Sequence, residues 1–484
     1  MKRILAAILC LCFLLSGCAG TQEPNEPEVS ETKPENQQLA AFAVKTAQLP
    51  ELPPMPSENE LMEQLNALDY EKLGDEKYQE ENQRIWDEYS AAMTAYFDAV
   101  QELRGAGVDS ALAPGMQRYT QRTLAQLLAA PQGENTVYSP ANLYIALCML
   151  SETVTGDTQS QLLELLGLSS PEQAREAASA LWRSLYNETA YGKTTLANAL
   201  WLNEQVSYND ETVDRLANDY FTSVYRAAMG DKATDAAIAE WVNENTGHLL
   251  EEAANALETT PDTVMMLLSA LYFKNEWADA FNDSATYEDV FTTAAGAEQK
   301  IDFMHMHKNG SIVRGENYAV AGLPFKDGIS MTFLLPDRGT ALSDVLSAES
   351  ALSDWFHPQE SAGADYGEIH WSVPKFDVSS DLDLVDALRA LGVEDVFDDS
   401  RADFSPLTDL ELPMAVTQVK HAARVTVNED GCEAAAFTAI MVEATSAAPD
   451  SLPVFEMDLD RPFAFLITGV DGLPLFIGCV NSME

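Results

Sequence analysis

Few residues in this 484-residue chain stand in a pattern that performs chemistry. His305 and His307 are two apart and would share one face of a strand, a spacing that suits metal coordination through imidazole nitrogens. No third ligand accompanies them, so a solvated strand face is the default reading, and no metal or other cofactor is expected. Gly-x-Ser-x-Gly, His-Glu-x-x-His and a phosphate-cradling glycine loop are all absent, which leaves an enzyme without positive support. Of the six cysteines, Cys148 lies in an apolar helical run and Cys479 in an apolar strand, as buried thiols do. Together with Cys432 they form an odd, widely spaced set that is no disulfide framework.

Val427 to Pro449 carries a different kind of chemistry. From Cys432 onward the even positions, Cys432, Ala434, Ala436, Thr438, Ile440, Val442 and Ala444, are uncharged, whereas Glu433 and Glu443 fall on odd ones. That alternation describes a strand with one buried face. Yet the segment opens with Asn428-Glu429-Asp430-Gly431 and closes in Ser446-Ala447-Ala448-Pro449, residues of turns and loops. A stretch patterned as a buried strand but flanked as an exposed loop implies two locations for one piece of chain. Ala434 to Ala436 could equally open an ordinary helix, because alanine is the best helix former.

The elements that must position this segment divide the chain in four. Residues 1–17 hold Lys2, Arg3 and an apolar run from Ile4 to Leu15, a secretory signal too short to span a membrane as a mature helix. Leu15-Ser16-Gly17-Cys18 closely resembles a bacterial lipobox, which implies cleavage before Cys18 and lipid on its sulfur and new amino terminus. Multiple acyl chains give a stable anchor, so a membrane-anchored bacterial lipoprotein facing the cell exterior is expected. Residues 18–57 are rich in Glu, Pro, Asn and Gln and read as an unfolded acidic spacer. Residues 58–110 show helical spacing in Leu61, Leu65 and Leu68, and again in Ile85, Tyr89, Met93, Tyr96, Phe97 and Val100. They read as one or two amphipathic helices that pack on the main domain, extend the stalk or bind a partner.

Residues 111–484 are ample for a large core. Helices are expected at Met116–Ala130, Leu143–Leu150, Gln159–Leu166, Val213–Tyr220 and Thr234–Leu250. Strands are expected at Met265–Phe273, Ala319–Pro324, Met331–Leu335, Ile369–Val378, Ala422–Val427 and within Phe463–Val480. Helices first and strands later describe an α+β architecture with antiparallel sheets. The balance of 28 basic against 77 acidic residues gives a net charge of −49, which repels phosphate backbones and excludes nucleic-acid binding.

Ordered blocks run through this domain: Asn135-Thr-Val-Tyr-Ser-Pro140, Ala146-Leu-Cys-Met-Leu150, Leu196-Ala-Asn-Ala-Leu-Trp201, Ala270-Leu-Tyr-Phe-Lys-Asn-Glu-Trp277, Val373-Pro-Lys-Phe376, Pro462-Phe-Ala-Phe465 and Pro474-Leu-Phe-Ile-Gly-Cys-Val-Asn481. Through them the chain from Ala111 to Glu484 resembles the serpins. The resemblance implies three β-sheets surrounded by about eight or nine helices, with an exposed reactive-centre loop that inserts into the main sheet after cleavage. It implies a protease inhibitor, expected to be monomeric, that is consumed as it traps its target. The hinge corresponds to Glu429, Gly431, Cys432, Glu433, Ala434, Ala435, Ala436, Phe437 and Thr438. Its small, uncharged inward residues are of the inhibitory type, since an unpaired charge there would stall burial. Cys432 stands where Ser or Thr is usual and its thiol could oxidise while exposed; Phe437 departs from a small residue on the outward face.

Counted from Gly431 as the family counts its loop, the scissile bond falls between Thr445 and Ser446. The flanking Ala444 and Ala447 are also small, and the run to Pro462 is longer than usual, so the bond is fixed only within Ala444–Ala447. Small residues suit elastase-like or subtilisin-like serine proteases; a cysteine protease, or a non-inhibitory binding role, are the alternatives. Glu429 and Lys375 match the family's ion pair at the top of the main sheet, the breach, and Trp277 the aromatic packed there. Ser139, Asn142, Ser269 and His421 match the central polar cluster, the shutter. Asn142 replaces a usual Ser and Ser269 a usual Asn, an exchange that preserves one amide and one hydroxyl near His421 or else weakens the cluster.

Overall fold

The backbone of Ser139 to Thr153 sets the interior. Ser139 caps a helix, accepting a hydrogen bond from the Asn142 amide at 3.2 Å, and Pro140 occupies the first helical position. The helix Pro140–Thr153 is mostly apolar and almost wholly buried, with Glu152 at its polar end paired to Arg175 and Arg215. The computed structural model describes residues 37–49, 52–105, 113–128, 134–189, 191–432 and 452–483. Cys18, the hinge residues from Glu433 to Thr438 and the Thr445–Ser446 bond lie outside them.

The main sheet runs in the order Ala43–Lys45, Thr222–Ala227, Gly192–Asn203, Met265–Glu276, Gly431–Cys432, Lys420–Val427 and Phe376–Asp383, with Asn187–Glu188 added on the Gly192 strand. The Gly192 and Thr222 strands are parallel and joined through the helix Asp210–Asp219; the Met265 strand pairs antiparallel to Gly192 over eleven residue pairs. A second ladder runs Val454–Asp458, Ala364–Pro374, Glu298–Arg314, Tyr318–Pro324, Ser330–Pro336, Phe463–Thr468, Pro474–Val480, Thr136–Tyr138. The two smaller sheets implied by the resemblance are continuous here. The reason is the 17-residue Glu298 strand, whose length lets it pair with Thr286–Thr292, Ala364–Pro374 and, at its end, Tyr318–Pro324.

Two expectations change. Ile369–Val378 is not one strand: Pro374 ends one in the second sheet and Phe376 begins one in the main sheet, with Lys375 at the crossing and its amide on the Asp302 carbonyl at 3.0 Å. Helices do dominate before Val264, as expected, while Gly192–Asn203 and Thr222–Ala227 add two strands there that supply the sheet's other flank. The expected spacer folds in part. Gln37–Ala40 is helical, and Ala43–Lys45 pairs with the Thr222 strand, held by buried Leu39 and by Phe42 packed toward Trp201. An exposed sheet edge is a template for an adjacent segment, and Leu39 and Phe42 give this short stretch the apolar contacts that hold it there.

In the extension, Ser57 caps Glu58–Asn66, and Asp75–Arg104 forms a 30-residue helix. Ile85, Tyr96 and Val100 are buried, and the Tyr96 hydroxyl donates to the Glu188 carbonyl at 2.8 Å. The extension therefore packs on the main domain.

Candidate functional site

The site grows from a hairpin. Lys420–Val427 ends at Asn428, whose side-chain oxygen accepts from the amides of Asp430 (3.0 Å) and Gly431 (3.2 Å), while its own amide donates to the Gly431 carbonyl. This is the turn chemistry that an Asx residue supplies. It sends Gly431 and Cys432 back between two strands: Cys432 pairs with Val427 on one side and Asn275 on the other, and Gly431 pairs with Glu276. A Cβ on Gly431 would stand 2.1 Å from the Asn275 carbonyl oxygen, so the approach admits glycine alone. Cys432 is 2% exposed, so its thiol is shielded here rather than open to oxidation.

Below Cys432, among the described residues, no ladder joins the Met265 strand to the Lys420 strand. Both flanking strands continue there. A chain leaving Cys432 in the direction already set would run between them, antiparallel to each.

The breach residues hold the entrance. Lys375 Nζ lies 2.9 Å from one Glu429 oxygen and 3.2 Å from the other, and the Thr286 hydroxyl donates to the carboxylate at 2.9 Å. Burial opposes ionisation of Glu429, but the hydrogen bonds from Lys375, its own amide and Thr286 outweigh it and hold the carboxyl below its usual range. Asp430 beside it is raised, first by burial and then by Asp283, Glu429 and Glu276. Trp277 is buried, stacks on Phe325 at 4.3 Å, donates its indole N–H to the Asn428 carbonyl at 3.0 Å and its amide to the Asp430 carbonyl at 2.8 Å. Asn428 and Thr286 belong to this site, and sequence reasoning did not find them. The Asn-Glu-Asp-Gly turn was the one available sign of Asn428; Thr286 carries none.

The central cluster is joined in part. His421 is buried and its Nε2 accepts from the Ser139 amide at 2.9 Å, which requires a neutral ring. Burial lowers its pKa from 6.5 to about 4. Asn142 is brought in through the Ser139 cap. Among the described residues, Ser269 is not bonded to the others: its buried hydroxyl finds no partner there, and neither does the side-chain oxygen of Asn198, its register neighbour. A hydroxyl is shorter than the amide usual there.

The family model described as "Serpin (serine protease inhibitor)" matches residues 115–483. Serpin-Z2A of Triticum aestivum is 28% identical over 383 residues, covering 75% of this chain and 94% of that protein. An uncharacterised serpin-like protein of Methanosarcina acetivorans is also 28% identical, over 73% of this chain and 82% of its own. Among solved structures, the thermophilic serpin tengpin in its native state aligns with a TM-score of 0.69 at 25% identity, over 78% of this chain and 95% of that one. The Arabidopsis AtSerpin1 structure in its native stressed conformation aligns with a TM-score of 0.66 at 24% identity, over 78% and 99%.

Proposed function

The chain belongs to the serpin family of protease inhibitors, and from that premise we propose that it traps a serine protease as an acyl-enzyme by inserting its own cleaved loop. The protease serine attacks the Thr445 carbonyl, the Thr445–Ser446 bond breaks, and the amine of Ser446 departs with the proton returned by the protease's own histidine. An ester now links Thr445 to the protease. Residues 433 onward enter the main sheet behind Cys432 and carry the protease with them, so that the ester outlives the normal deacylation step.

One observation supports this reading above the rest: Gly431 and Cys432 already pair with the strands on both sides of the path that an inserting loop would follow. The Lys375–Glu429 pair and Trp277 stand at the same entrance. Small residues at Ala444–Ala447 suit an elastase-like or subtilisin-like target. The protein acts as a monomer, held outside a bacterial cell by lipid on Cys18.

Mixing the purified domain with an elastase and with a subtilisin tests this on a denaturing gel. A new band near the sum of the two masses is expected, with mass spectrometry placing the ester within Ala444–Ala447. Cleaved protein alone, across serine and cysteine proteases, would mean a substrate and not a trap.

A further inference from the structure

The pair at His305 and His307 does not work as a unit: His305 stacks on Tyr287 at 4.0 Å, with its ring nitrogens on the Ala285 carbonyl (3.0 Å) and the Ser372 hydroxyl (3.2 Å). His307 finds other company. The antiparallel register of the Glu298 and Ala364 strands places His370 directly across from it, and Glu368 follows on the same face, two residues earlier. The Glu368 carboxylate lies 3.6 Å from His307 Nδ1 and 3.3 Å from His370 Nε2. Taking one ligand atom from each residue, all three lie within 4.8 Å of one another. Three ligands at the usual zinc distances stand about 3.4 Å apart around a tetrahedral ion. Two of the contacts are already at that spacing.

The outer shell is also present. His370 Nδ1, the nitrogen turned away from Glu368, lies 3.2 Å from a carboxylate oxygen of Glu456. A carboxylate on the second nitrogen orients a metal-binding histidine and raises its basicity. The two rings lie face to face, with centroids 3.8 Å apart and planes at 13°, so an ion would turn each about its Cβ–Cγ bond to aim the nitrogens inward. The side chains are 63% and 30% exposed, which leaves room for that rotation.

We propose that His307, Glu368 and His370 form a binding site for a divalent late-transition ion of the zinc type, with the Glu456 carboxylate holding the far ring nitrogen of His370. Two imidazoles and a carboxylate favour such an ion over calcium or magnesium, which seek oxygen ligands. Glu456 sits on Val454–Asp458, the strand that follows the 433–451 segment and pairs parallel to the Ala364 strand. Occupation of the site would strengthen the side-chain link between that strand and the Ala364 strand through Glu456 and His370.

Isothermal titration of the tag-free, metal-stripped protein with Zn²⁺ at neutral pH tests this without any protease. One strong site is expected, and excess Mg²⁺ or Ca²⁺ should not displace it. H307A and H370A should each weaken binding by about 100-fold, and Glu456→Gln by roughly 10-fold, in line with lost ligands and a lost outer-shell partner. His307 and Glu456 are at the surface, so metal-free melting of H307A and Glu456→Gln should match the parent, and binding by H370A is read on folded protein. No strong site, displacement by Mg²⁺, or affinity retained in H307A and H370A would overturn the proposal, the last two showing only ions held by a strongly acidic surface.

Discussion

Glu429 is the residue on which the entrance depends most, because it is 13% exposed and takes bonds from two side chains and its own backbone. Glu429→Gln removes the ion pair but keeps the shape, and should cost about 1 kcal/mol in urea unfolding, since Lys375 is well solvated. Cys432 has a stricter requirement. Cys432→Arg would force a charge into a position flanked by Asn275 and Val427; protease mixing should then yield cleaved inhibitor without a complex, whereas Cys432→Thr should retain trapping. His421 sets a pH dependence. Its folded pKa, about 4, lies below its ordinary 6.5. Between these values the unfolded chain holds a proton that the folded one does not, so stability falls as pH falls through that window, approaching about 3 kcal/mol once both states are protonated. Unfolding free energies measured across the window should show this slope, and His421→Asn should flatten it.

Among elements, the edge strand Ala43–Lys45 is the least expected. Leu39→Ala should cost about 2 kcal/mol by thermal or urea melting, because it empties a buried position that holds this strand to the sheet. A melting temperature equal to the parent's would show that the edge contributes nothing. The sequence did not disclose it because three residues offer no measurable period and the Glu-, Pro- and Asn-rich chain before them masks the short apolar run Leu39–Val44. The Glu298 strand escaped for the opposite reason: it is long, but Asp302 and Lys308 on one face and His305 and His307 on the other interrupt it, so no apolar run marks it. The Met265 and Lys420 strands were legible because their residues are apolar or β-branched and bounded by turn residues. Lys375, Glu429, Trp277 and His421 could be named only through the resemblance to the serpins, whereas their partners Asn428 and Thr286, and the grouping of His370 with His307, depend on a turn geometry and a strand register that no local pattern encodes.

At the scale of the molecule, a net charge of −49 makes the whole surface repel anions and attract cations. Association with a basic protease should slow as salt rises, while an acidic protease of similar specificity should associate more slowly at low salt; stopped-flow rates over a salt series would show the contrast. Among the described residues, the frame on the two sides of Cys432 is joined by Gly431 and Cys432 between the Met265 and Lys420 strands. Filling that path with a cleaved loop would add a full strand to the main sheet and raise stability without adding a ligand. The most direct measurement is therefore the melting temperature of the protein before and after its loop is cut by a protease that does not become trapped. Insertion predicts that the cleaved, two-chain protein melts well above the intact one; a cleaved form melting at or below the intact temperature would contradict it.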